Sequence, residues 1–264
     1  MEYKYKLGFL GVGNMAKAIA SGVLSSKLLN KDQMIMSRQS ENGSFEGIKI
    51  TTDNNFILNN CEYVILAVKP QIFNSLKETG LFSNANCACV ISIMAGVKAE
   101  KIESVFTNGA KVVRVMPNTP CAVGLGMVCI AKNGATKEQN EFCEKIFKGT
   151  AKTALIDENL FDAVTSISGS GPAYVYYFIK SMIDAGVEGG LSLEDSKLLT
   201  LQTVVGAAKM VETSSDDLST LIQKVCSKGG TTIQAIDTFN NYEIDKKINE
   251  GIQKCRLRSE ELSK

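Results

Sequence analysis

The sequence predicts an α/β protein, with a doubly wound parallel sheet in its N-terminal part and an all-α C-terminal part. Through the first half of the 264 residues, apolar runs typical of strands alternate with stretches of helical periodicity. A glycine-rich turn follows the first apolar run. From residue 158 onward, apolar residues recur almost only at helical spacing. We therefore predict two domains, residues 1–157 and residues 158–264.

The first strand, turn and helix form a motif that is typical of dinucleotide-binding proteins. Leu7–Leu10 is apolar, and Gly11, Gly13 and Ala16 follow it in the spacing G-x-G-x-x-A. In this motif the first glycine permits a tight turn, the second lets a pyrophosphate approach the backbone, and the small third residue lets the helix pack closely on the strand. The N–H groups at the helix start then face the phosphates. We predict a Rossmann-type site here, with an ordinary glycine turn as the alternative.

Further apolar runs predict the remaining strands of the sheet. They are Met34–Met36, Ile48–Thr51, Tyr63–Val68, Cys87–Ile93, Val112–Met116, Met127–Ala131 and Lys152–Ile156. A continuously apolar run is expected of a central parallel strand that is covered on both faces. Lys69-Pro70 ends one of these runs, and Ala95-Gly96 lies just after another. Because ligands bind at the carboxyl ends of such strands, both segments are candidates for cofactor contact.

The C-terminal part carries four apolar stripes at helical spacing. Ser168–Pro172 predicts a glycine turn that leads into the first helix, with Pro172 near its start. The stripes are Val175, Phe178, Met182 and Ala185; Leu198, Leu201, Val205 and Ala208; Leu218, Leu221, Ile222 and Val225; and Ile244, Ile248, Ile252 and Cys255. About a hundred residues with so much apolar surface often complete their core against another subunit, so we expect a homo-oligomer.

Composition excludes several classes of function. The formal net charge of +1 gives no electrostatic attraction to nucleic acid or anionic membranes. No apolar run approaches the length of a membrane span, and the N-terminus lacks the apolar core of a signal peptide, so we expect a cytoplasmic protein. The eight cysteines are scattered without a C-x-x-C pair, which favours core thiols over disulfides or a metal site. The chain has no histidine, so a Ser-His-Asp triad or a histidine base is excluded.

The end of the second predicted strand indicates which dinucleotide binds. An NAD site usually carries an acidic residue there, which bonds the ribose 2′-hydroxyl. Here the strand ends in Ser37-Arg38, with Ser40 close by. A guanidinium and hydroxyls suit a 2′-phosphate, so we predict NADPH as the cofactor, with NADH possible. The alternative is that Arg38 is a solvated surface arginine.

A second candidate site lies in Gly229–Thr232, between two predicted helices. The glycine pair predicts a turn, and Thr231 or Thr232 then lies at the helix start. Free backbone N–H groups, a hydroxyl and the positive end of the helix dipole can together bind a small carboxylate. The alternative is a threonine N-cap behind a glycine turn.

Several segments resemble the pyrroline-5-carboxylate reductase family, in order along nearly the whole chain. They are GFLGVGNM at Gly8–Met15, AVKPQ at Ala67–Gln71, VRVMPNTP at Val113–Pro120, SGSGPAYVYYF at Ser168–Phe178 and VCSKGGTTIQAIDTFN at Val225–Asn240. The resemblance implies NAD(P)H-dependent reduction of 1-pyrroline-5-carboxylate to proline, the last step of proline synthesis. It also implies an N-terminal Rossmann domain and a helical C-terminal dimerisation domain, in dimers that often build a larger ring.

The resemblance further implies the residues of the site. Those expected around the cofactor are Gly11, Gly13, Asn14 and Met15 at the pyrophosphate, Ser37 and Arg38 at the 2′-phosphate, Asn54 near the adenosine ribose, and Val68, Lys69, Pro70 and Ala95 beside the nicotinamide. Those expected around the substrate are Val225, Gly230, Thr231 and Thr232.

Four of the positions in or near these segments need qualification. Lys228 stands where many family members have proline, and Ser215 stands where some have a glutamate near the substrate. For Lys69 the alternative is a lysine that faces solvent at the strand end, and for Asn54 an exposed loop residue.

Reduction of a C=N bond requires a hydride donor and a partner for the imine nitrogen. The cofactor supplies the hydride, and no carboxylate lies in the Gly229–Thr232 segment. We therefore predict that the Thr232 hydroxyl orients or protonates the ring nitrogen, and that positioning contributes most of the catalysis.

Two other functions remain open from the sequence. One is a 3-hydroxyacid dehydrogenase, but that family places a catalytic lysine after its second glycine motif, where this chain has Tyr174. The other is a regulator that binds NADP(H) without turnover, which the intact C-terminal segments disfavour.

Overall fold

The structure is a computed structural model that describes residues 2–132 and 135–263. Contacts divide the chain into two compact units. The first contains the residues up to Ser170 together with those from Cys255 onward, and the second is Gly171–Lys254. The predicted domains, 1–157 and 158–264, stay a prediction; residues 158–170 and 255–263 pack with the first unit.

One sheet of nine strands, as far as the structure describes the chain, forms the centre of the first unit. The strands are β1 (Tyr5–Leu10), β2 (Met34–Ser37), β3 (Gly43–Phe45), β4 (Ile48–Thr51), β5 (Cys61–Leu66), β6 (Cys89–Ser92), β7 (Lys111–Pro117), β8 (Gly126–Lys132) and β9 (Ala151–Asp157). Their order is β3-β4-β2-β1-β5-β6-β7-β8-β9, and only the pairs β3–β4 and β7–β8 are antiparallel. The predicted α/β class with a doubly wound sheet is confirmed.

Helices and turns cover this sheet on both faces. The α-helices of the first unit are α1 (Asn14–Ser25), α2 (Asn54–Asn60), α3 (Pro70–Glu78), α4 (Ala99–Glu103), α5 (Lys137–Phe147) and α6 (Phe161–Val164). Side chains alternate between the faces along β1: Phe9 belongs to one buried apolar cluster, and its neighbour Leu10 belongs to another. A strand buried on both faces is apolar at most positions, which is why the central strands read as nearly continuous apolar runs.

β3 is a strand that the sequence did not predict. It is short and exposed, and it folds back on β4 through a two-residue turn, Glu46–Gly47. Both turn residues have positive φ, 49° at Glu46 and 81° at Gly47, as a tight hairpin turn of the I′ type requires. The strand has no apolar alternation, so its place in the sheet depends on pairing with β4.

The remaining helices lie mostly in the second unit. They are α7 (Gly171–Glu188), α8 (Leu193–Thr213), α9 (Leu218–Val225), α10 (Thr231–Asn241) and α11 (Ile244–Leu262), and the last of these continues into the first unit. The predicted glycine turn at Ser168–Pro172 differs in the structure. Thr165–Gly169 forms one π-helical turn, with a hydrogen bond of 2.8 Å from Ser170 N–H to the Thr165 carbonyl. Gly169 packs closely against the end of the Met116 side chain, which comes from β7.

Within the second unit, α7 and α8 contact each other through small residues. Gly186 leaves room for Ser196, whose hydroxyl donates to the Ile183 carbonyl at 2.8 Å. The buried residues of α8, Ser196 and Thr200, thus have small polar side chains. The apolar stripe of α8 points the other way, and Leu198 is 66% exposed.

Within the described residues, the second unit contains no buried apolar core of its own. All the buried apolar clusters of the described chain consist of residues before 165. Large side chains such as Tyr177, Val205 and Val225 are exposed instead. A fold that leaves so much contiguous apolar surface in water is expected to bury it against another subunit.

The last turns of α11 return to the first unit. The hydroxyls of Ser259 and Ser263 donate to Asp162 Oδ1 at 2.6 Å and 3.1 Å. Leu262 packs against Gly96, whose φ is +71°. The C-terminal segment therefore contacts the loop that follows β6.

Candidate active site

The sheet has its topological switch point between β1 and β5. The chain runs from β1 to β2 and β4 on one side, and then returns to β5, β6 and β7 on the other. In such sheets ligands bind outside the carboxyl ends of the strands at the switch point. The loops after β1, β2, β5 and β6 begin at this edge because all four strands are parallel.

Gly11 begins the first of these loops and cannot carry a side chain. Its φ is +108°, and a Cβ on this residue would lie 2.6 Å from the Ala67 carbonyl oxygen. Its N–H donates to the Ser37 carbonyl at 3.0 Å. The loop after β1 is therefore held between the ends of β5 and β2, in agreement with the tight turn that the motif predicts.

Gly13 leaves open space at the start of α1. It is the N-cap residue in an extended conformation, and a Cβ added to it would meet no atom within 4 Å. The first N–H groups of α1 have no side-chain cap hydrogen bond. Asn14 is exposed and Met15 is partly exposed in this first turn, while Ala16 is fully buried. Open space beside uncapped N–H groups fits a pyrophosphate, as the sequence motif predicts.

Ser37 and Asn54 are hydrogen-bonded to each other behind this edge. Ser37 is buried, and its hydroxyl donates to Asn54 Oδ1 at 2.7 Å. Asn54 is the first residue of α2, which Asp53 caps through the N–H of Phe56 at 3.0 Å. The Ser37 hydroxyl therefore positions Asn54, and the roles predicted for these two side chains at the cofactor stay predictions.

Arg38 lies next to Ser37, in the loop between β2 and β3. Its side chain is about one-third exposed, and its guanidinium pairs with Glu41, with 2.7 Å between Nη2 and Oε1. Arg38 N–H donates to the Thr51 carbonyl at 3.0 Å, which fixes the backbone to the end of β4. The predicted contact with a 2′-phosphate stays a prediction.

The loops after β5 and β6 carry the residues predicted beside the nicotinamide. Val68 lies against Gly11, with its Cγ1 3.2 Å from the position of a Cβ there. Lys69 is the exposed N-cap of α3, and Pro70 is the first residue of that helix. Ala95 is exposed at the next loop, and neighbouring Ile93 donates its N–H to the Leu66 carbonyl at 3.3 Å. The structure therefore brings these residues to the edge that also carries Gly11.

A buried ion pair behind the Ala95 loop was not predicted. Arg114, on β7, is 3% exposed, and its Nη1 lies 3.3 Å from Glu158 Oε1. The same oxygen accepts the N–H of Ala99, at the start of α4, at 2.8 Å. Burial lowers the pKa of Arg114, and the charge of Glu158 offsets part of that effect. The available signal was an arginine inside the apolar run Val112–Met116.

In the second unit, the turn before α10 has the geometry of an anion receptor. Gly229 has a φ of +74°, and Gly230 N–H donates to the Ser227 carbonyl at 3.0 Å. A Cβ on Gly230 would collide with the Ser227 hydroxyl. Gly230 is the N-cap of α10, without a side-chain cap hydrogen bond, so a threonine does not cap this helix. Thr231 is exposed and Thr232 partly exposed in the first turn, which leaves that turn accessible to an anion.

The neighbouring residues of this turn are also accessible. Val225 ends α9 and is exposed, as are Lys228 in the turn and Ser215 in the loop between α8 and α9. Lys224 pairs with Asp216, a neighbour of Ser215. The predicted roles of Val225, Gly230, Thr231 and Thr232 in substrate binding stay predictions.

The cysteines are free thiols, and six of the eight are buried. Burial raises the pKa of Cys61, Cys87 and Cys89 to about 12, and that of Cys143 well above its usual value. Within residues 2–132 and 135–263, no group of His, Cys, Asp and Glu side chains could hold a metal ion. Over the same residues, no helix combines the length and the apolar character that crossing a lipid bilayer requires.

Comparison with known proteins identifies the family. Residues 158–262 match the family model described as pyrroline-5-carboxylate reductase dimerisation, and residues 6–96 match the one described as NADP oxidoreductase coenzyme F420-dependent. The chain is 35% identical to the pyrroline-5-carboxylate reductase of Synechocystis sp., over 98% of each chain. The helical unit therefore belongs to a dimerisation domain, and this match confirms that the chain forms a homo-oligomer, as predicted.

Solved structures agree with this assignment over the whole chain. A pyrroline carboxylate reductase from Plasmodium falciparum, crystallised with NADP bound, is 31% identical, has a TM-score of 0.89 and covers 100% of both chains. A pyrroline-5-carboxylate reductase from Coxiella burnetii is 30% identical, with a TM-score of 0.84 over 99% of both chains. The predicted fold and the predicted class, an oxidoreductase, are confirmed, and the chain belongs to the pyrroline-5-carboxylate reductase family.

Proposed function

We propose that this chain reduces 1-pyrroline-5-carboxylate to proline with NADPH, as the last step of proline synthesis. The observation that carries the proposal is that one chain of this family contains two helix starts that can each bind an anion. One is the glycine loop before α1, which suits a pyrophosphate, and the other is the Gly229-Gly230 turn before α10, which suits a carboxylate.

The first unit would hold the cofactor. We propose that Gly11, Gly13, Asn14 and Met15 bind the pyrophosphate, that Ser37, Arg38 and Asn54 lie at the adenosine ribose and its 2′-phosphate, and that Val68, Lys69, Pro70 and Ala95 border the nicotinamide. The open space at Gly13 and the uncapped start of α1 support the pyrophosphate site. When bound, the reduced nicotinamide supplies the hydride.

The second unit would hold the substrate. We propose that Gly230, Thr231 and Thr232 border the carboxylate of pyrroline-5-carboxylate, which accepts from the N–H groups of the two threonines, with Val225 against its ring. The Thr232 hydroxyl is the residue proposed to donate a hydrogen bond to the imine nitrogen. The chain contains no histidine that could take this role. A hydroxyl is a weak acid, so Thr232 would act mainly by orienting the nitrogen for proton transfer from water.

The assembly and location follow from the same assignment. We propose a homodimer that buries the apolar stripes of α7, α8 and α9, in a larger ring of dimers as the resemblance implies. Exposed side chains such as Tyr177 and Leu198 support a large interface between subunits. A cytoplasmic location stays a prediction, which the free thiols support.

The test is the absorbance of NADPH at 340 nm in the presence of the purified chain and pyrroline-5-carboxylate. We expect NADPH to be consumed and proline to be formed in equal amounts, with no consumption when either the enzyme or the imine is omitted. Binding of NADPH without turnover would instead support the regulator. Reduction of NADP⁺ by a 3-hydroxy acid, with no reaction of the imine, would support the dehydrogenase.

A further inference from the structure

The loop between β2 and β3 places an acidic side chain against Arg38. Arg38 Nη2 donates to Glu41 Oε1 at 2.7 Å, and Arg38 Nε donates to the Glu41 backbone carbonyl at 3.1 Å. Nε and Nη2 form one edge of the guanidinium, the edge that a carboxylate or phosphate binds with two hydrogen bonds. Glu41 therefore occupies this edge with both its side chain and its backbone.

The fold itself holds Glu41 in this position. Asn42, the next residue, accepts the N–H of Thr52 at 3.0 Å through its side chain, which anchors the loop just after β4. Immediately afterwards Gly43 begins β3 and pairs with Ile50. A Cβ on Gly43 would lie 3.4 Å from Arg38 Nη2, so the strand also packs beside the guanidinium. The Arg38 N–H donates to the Thr51 carbonyl, so the segment that carries Glu41 is anchored on both sides.

We infer that Glu41 sets the preference of this enzyme between NADPH and NADH. The inference rests on the proposed function, which places the adenosine ribose of the cofactor at this loop. A 2′-phosphate carries nearly two negative charges at neutral pH and competes with Glu41 for the guanidinium of Arg38. If the phosphate binds the edge that Glu41 occupies, it displaces the Glu41 carboxylate, and at any other edge the nearby carboxylate repels it.

The same carboxylate favours the other cofactor. In NAD sites an acidic residue near the end of the second strand accepts the ribose 2′-hydroxyl. Glu41 supplies such an acceptor only a few residues after β2, and a neutral hydroxyl leaves the ion pair with Arg38 intact. The loop thus carries Arg38, which suits the 2′-phosphate of NADPH, and Glu41, which suits the 2′-hydroxyl of NADH. Glu41 therefore lowers the preference for NADPH.

The experiment compares the wild type with Glu41→Gln, which removes the charge and keeps the shape. Isothermal titration with adenosine 2′,5′-bisphosphate and with AMP measures the contribution of the 2′-phosphate without any catalytic step. Because an exposed ion pair contributes up to about a factor of five, we expect the variant to bind the bisphosphate about two- to fivefold more tightly. AMP affinity should stay the same or fall, and the ratio of kcat/KM for NADPH over NADH should rise by a similar factor.

Two further variants complete the experiment. Glu46→Gln makes the same change of charge in the β3–β4 turn, where Glu46 accepts from the Ser21 hydroxyl at 2.7 Å, and it should leave the ratio of the two affinities unchanged. Arg38→Ala should weaken binding of the bisphosphate and leave AMP binding intact. If the wild type and Glu41→Gln bind the bisphosphate with equal affinity, while Arg38→Ala weakens its binding, the role of Glu41 is overturned. A wild type that fails to turn over pyrroline-5-carboxylate, yet shows the Glu41 effect on binding, would overturn only the proposed reaction.

Discussion

At the scale of single residues, the positions that the sequence predicted best are glycines. Gly11 needs its positive φ and its close approach to Ala67, and Gly229 needs its positive φ in the turn before α10. Backbone requirements of this kind depend on a few neighbouring residues, so a motif can predict them. The partners of polar side chains were less predictable. Ser37 bonds to Asn54, and Arg38 bonds to Glu41, because tertiary pairing of β2, β3 and β4 brings them together.

Thr232→Ala tests the residue-scale mechanism. The variant keeps the backbone N–H groups at the start of α10 and loses the hydroxyl together with the neighbouring methyl group, so we expect kcat to fall about tenfold or more with NADPH affinity unchanged. Steady-state kinetics and fluorescence titration of NADPH measure the two quantities. Thr238→Ala is the matched control, since that hydroxyl on α10 donates to the Gln234 carbonyl at 2.8 Å. Full turnover in Thr232→Ala would show that the hydroxyl has no catalytic role.

At the scale of elements, the Arg114–Glu158 pair connects β7, the start of α4 and the segment after β9. Glu158 accepts from both Arg114 and Ala99 N–H, and the Arg114 guanidinium carbon lies 4.9 Å from the centroid of the Phe161 ring. Leu262 packs on Gly96 in the loop before α4. The stretch from Gly96 to Ala99 is therefore held by two separate parts of the chain, the residue after β9 and the end of α11.

Glu158→Gln is expected to destabilise the first unit. The change removes the nearest counter-charge of buried Arg114 and leaves only the weaker effect of Asp162, while an amide oxygen can still accept one hydrogen bond. Removing a partner of a buried pair costs about 3–5 kcal/mol, and Glu158 is partly exposed and keeps an acceptor, so we expect about 1–3 kcal/mol. Urea unfolding followed by circular dichroism measures the loss.

Asp157→Asn is the control for Glu158→Gln. It breaks an exposed pair with Lys132, 3.6 Å apart, which should cost less than about 1 kcal/mol. Equal stabilities of the two variants would contradict the structural role of the buried pair.

The sequence predicted most elements correctly and missed those that depend on distant partners. Apolar runs predicted eight of the nine strands among the described residues, and for the central strands the reason is that burial on both faces imposes a composition that can be read locally. β3 has no such composition, and only its pairing with β4 makes it a strand. The π-helical turn at Thr165–Gly169 was likewise read as a glycine turn, since its contact with Met116 comes from β7.

At the scale of the whole molecule, the apolar stripes predicted the need for another subunit. The stripe of Leu198, Leu201 and Val205 lies on the exposed side of α8, and the polar pair Ser196 and Thr200 packs within the unit. Amphipathic periodicity shows that a face will be buried, but it does not distinguish the partner helix of the same chain from one of another chain. The match of residues 158–262 to a dimerisation domain makes that distinction.

Leu198→Asp should disrupt the oligomer. An aspartate on the stripe would be buried at the subunit interface without a partner, which costs several kcal/mol per chain. Light scattering coupled to gel filtration should show a smaller species, or aggregation of the exposed helices, and the wild-type mass also tests the proposed ring. Leu125→Asp, at a loop residue of the first unit that is 80% exposed, should keep the wild-type mass. A Leu198→Asp variant of unchanged mass and stability would exclude this face from the interface.

The buried thiols have a consequence for survival of the protein under oxidative stress. Peroxide attacks the thiolate form, and a thiol whose pKa is about 12 is ionised in roughly one molecule in 10⁵ at pH 7. The first unit holds seven of the eight cysteines, of which six are buried in its core and Cys255 is partly exposed. The six buried cysteines therefore add little sensitivity to oxidants, and any early reaction of peroxide with a thiol is expected at the partly exposed Cys226 or Cys255.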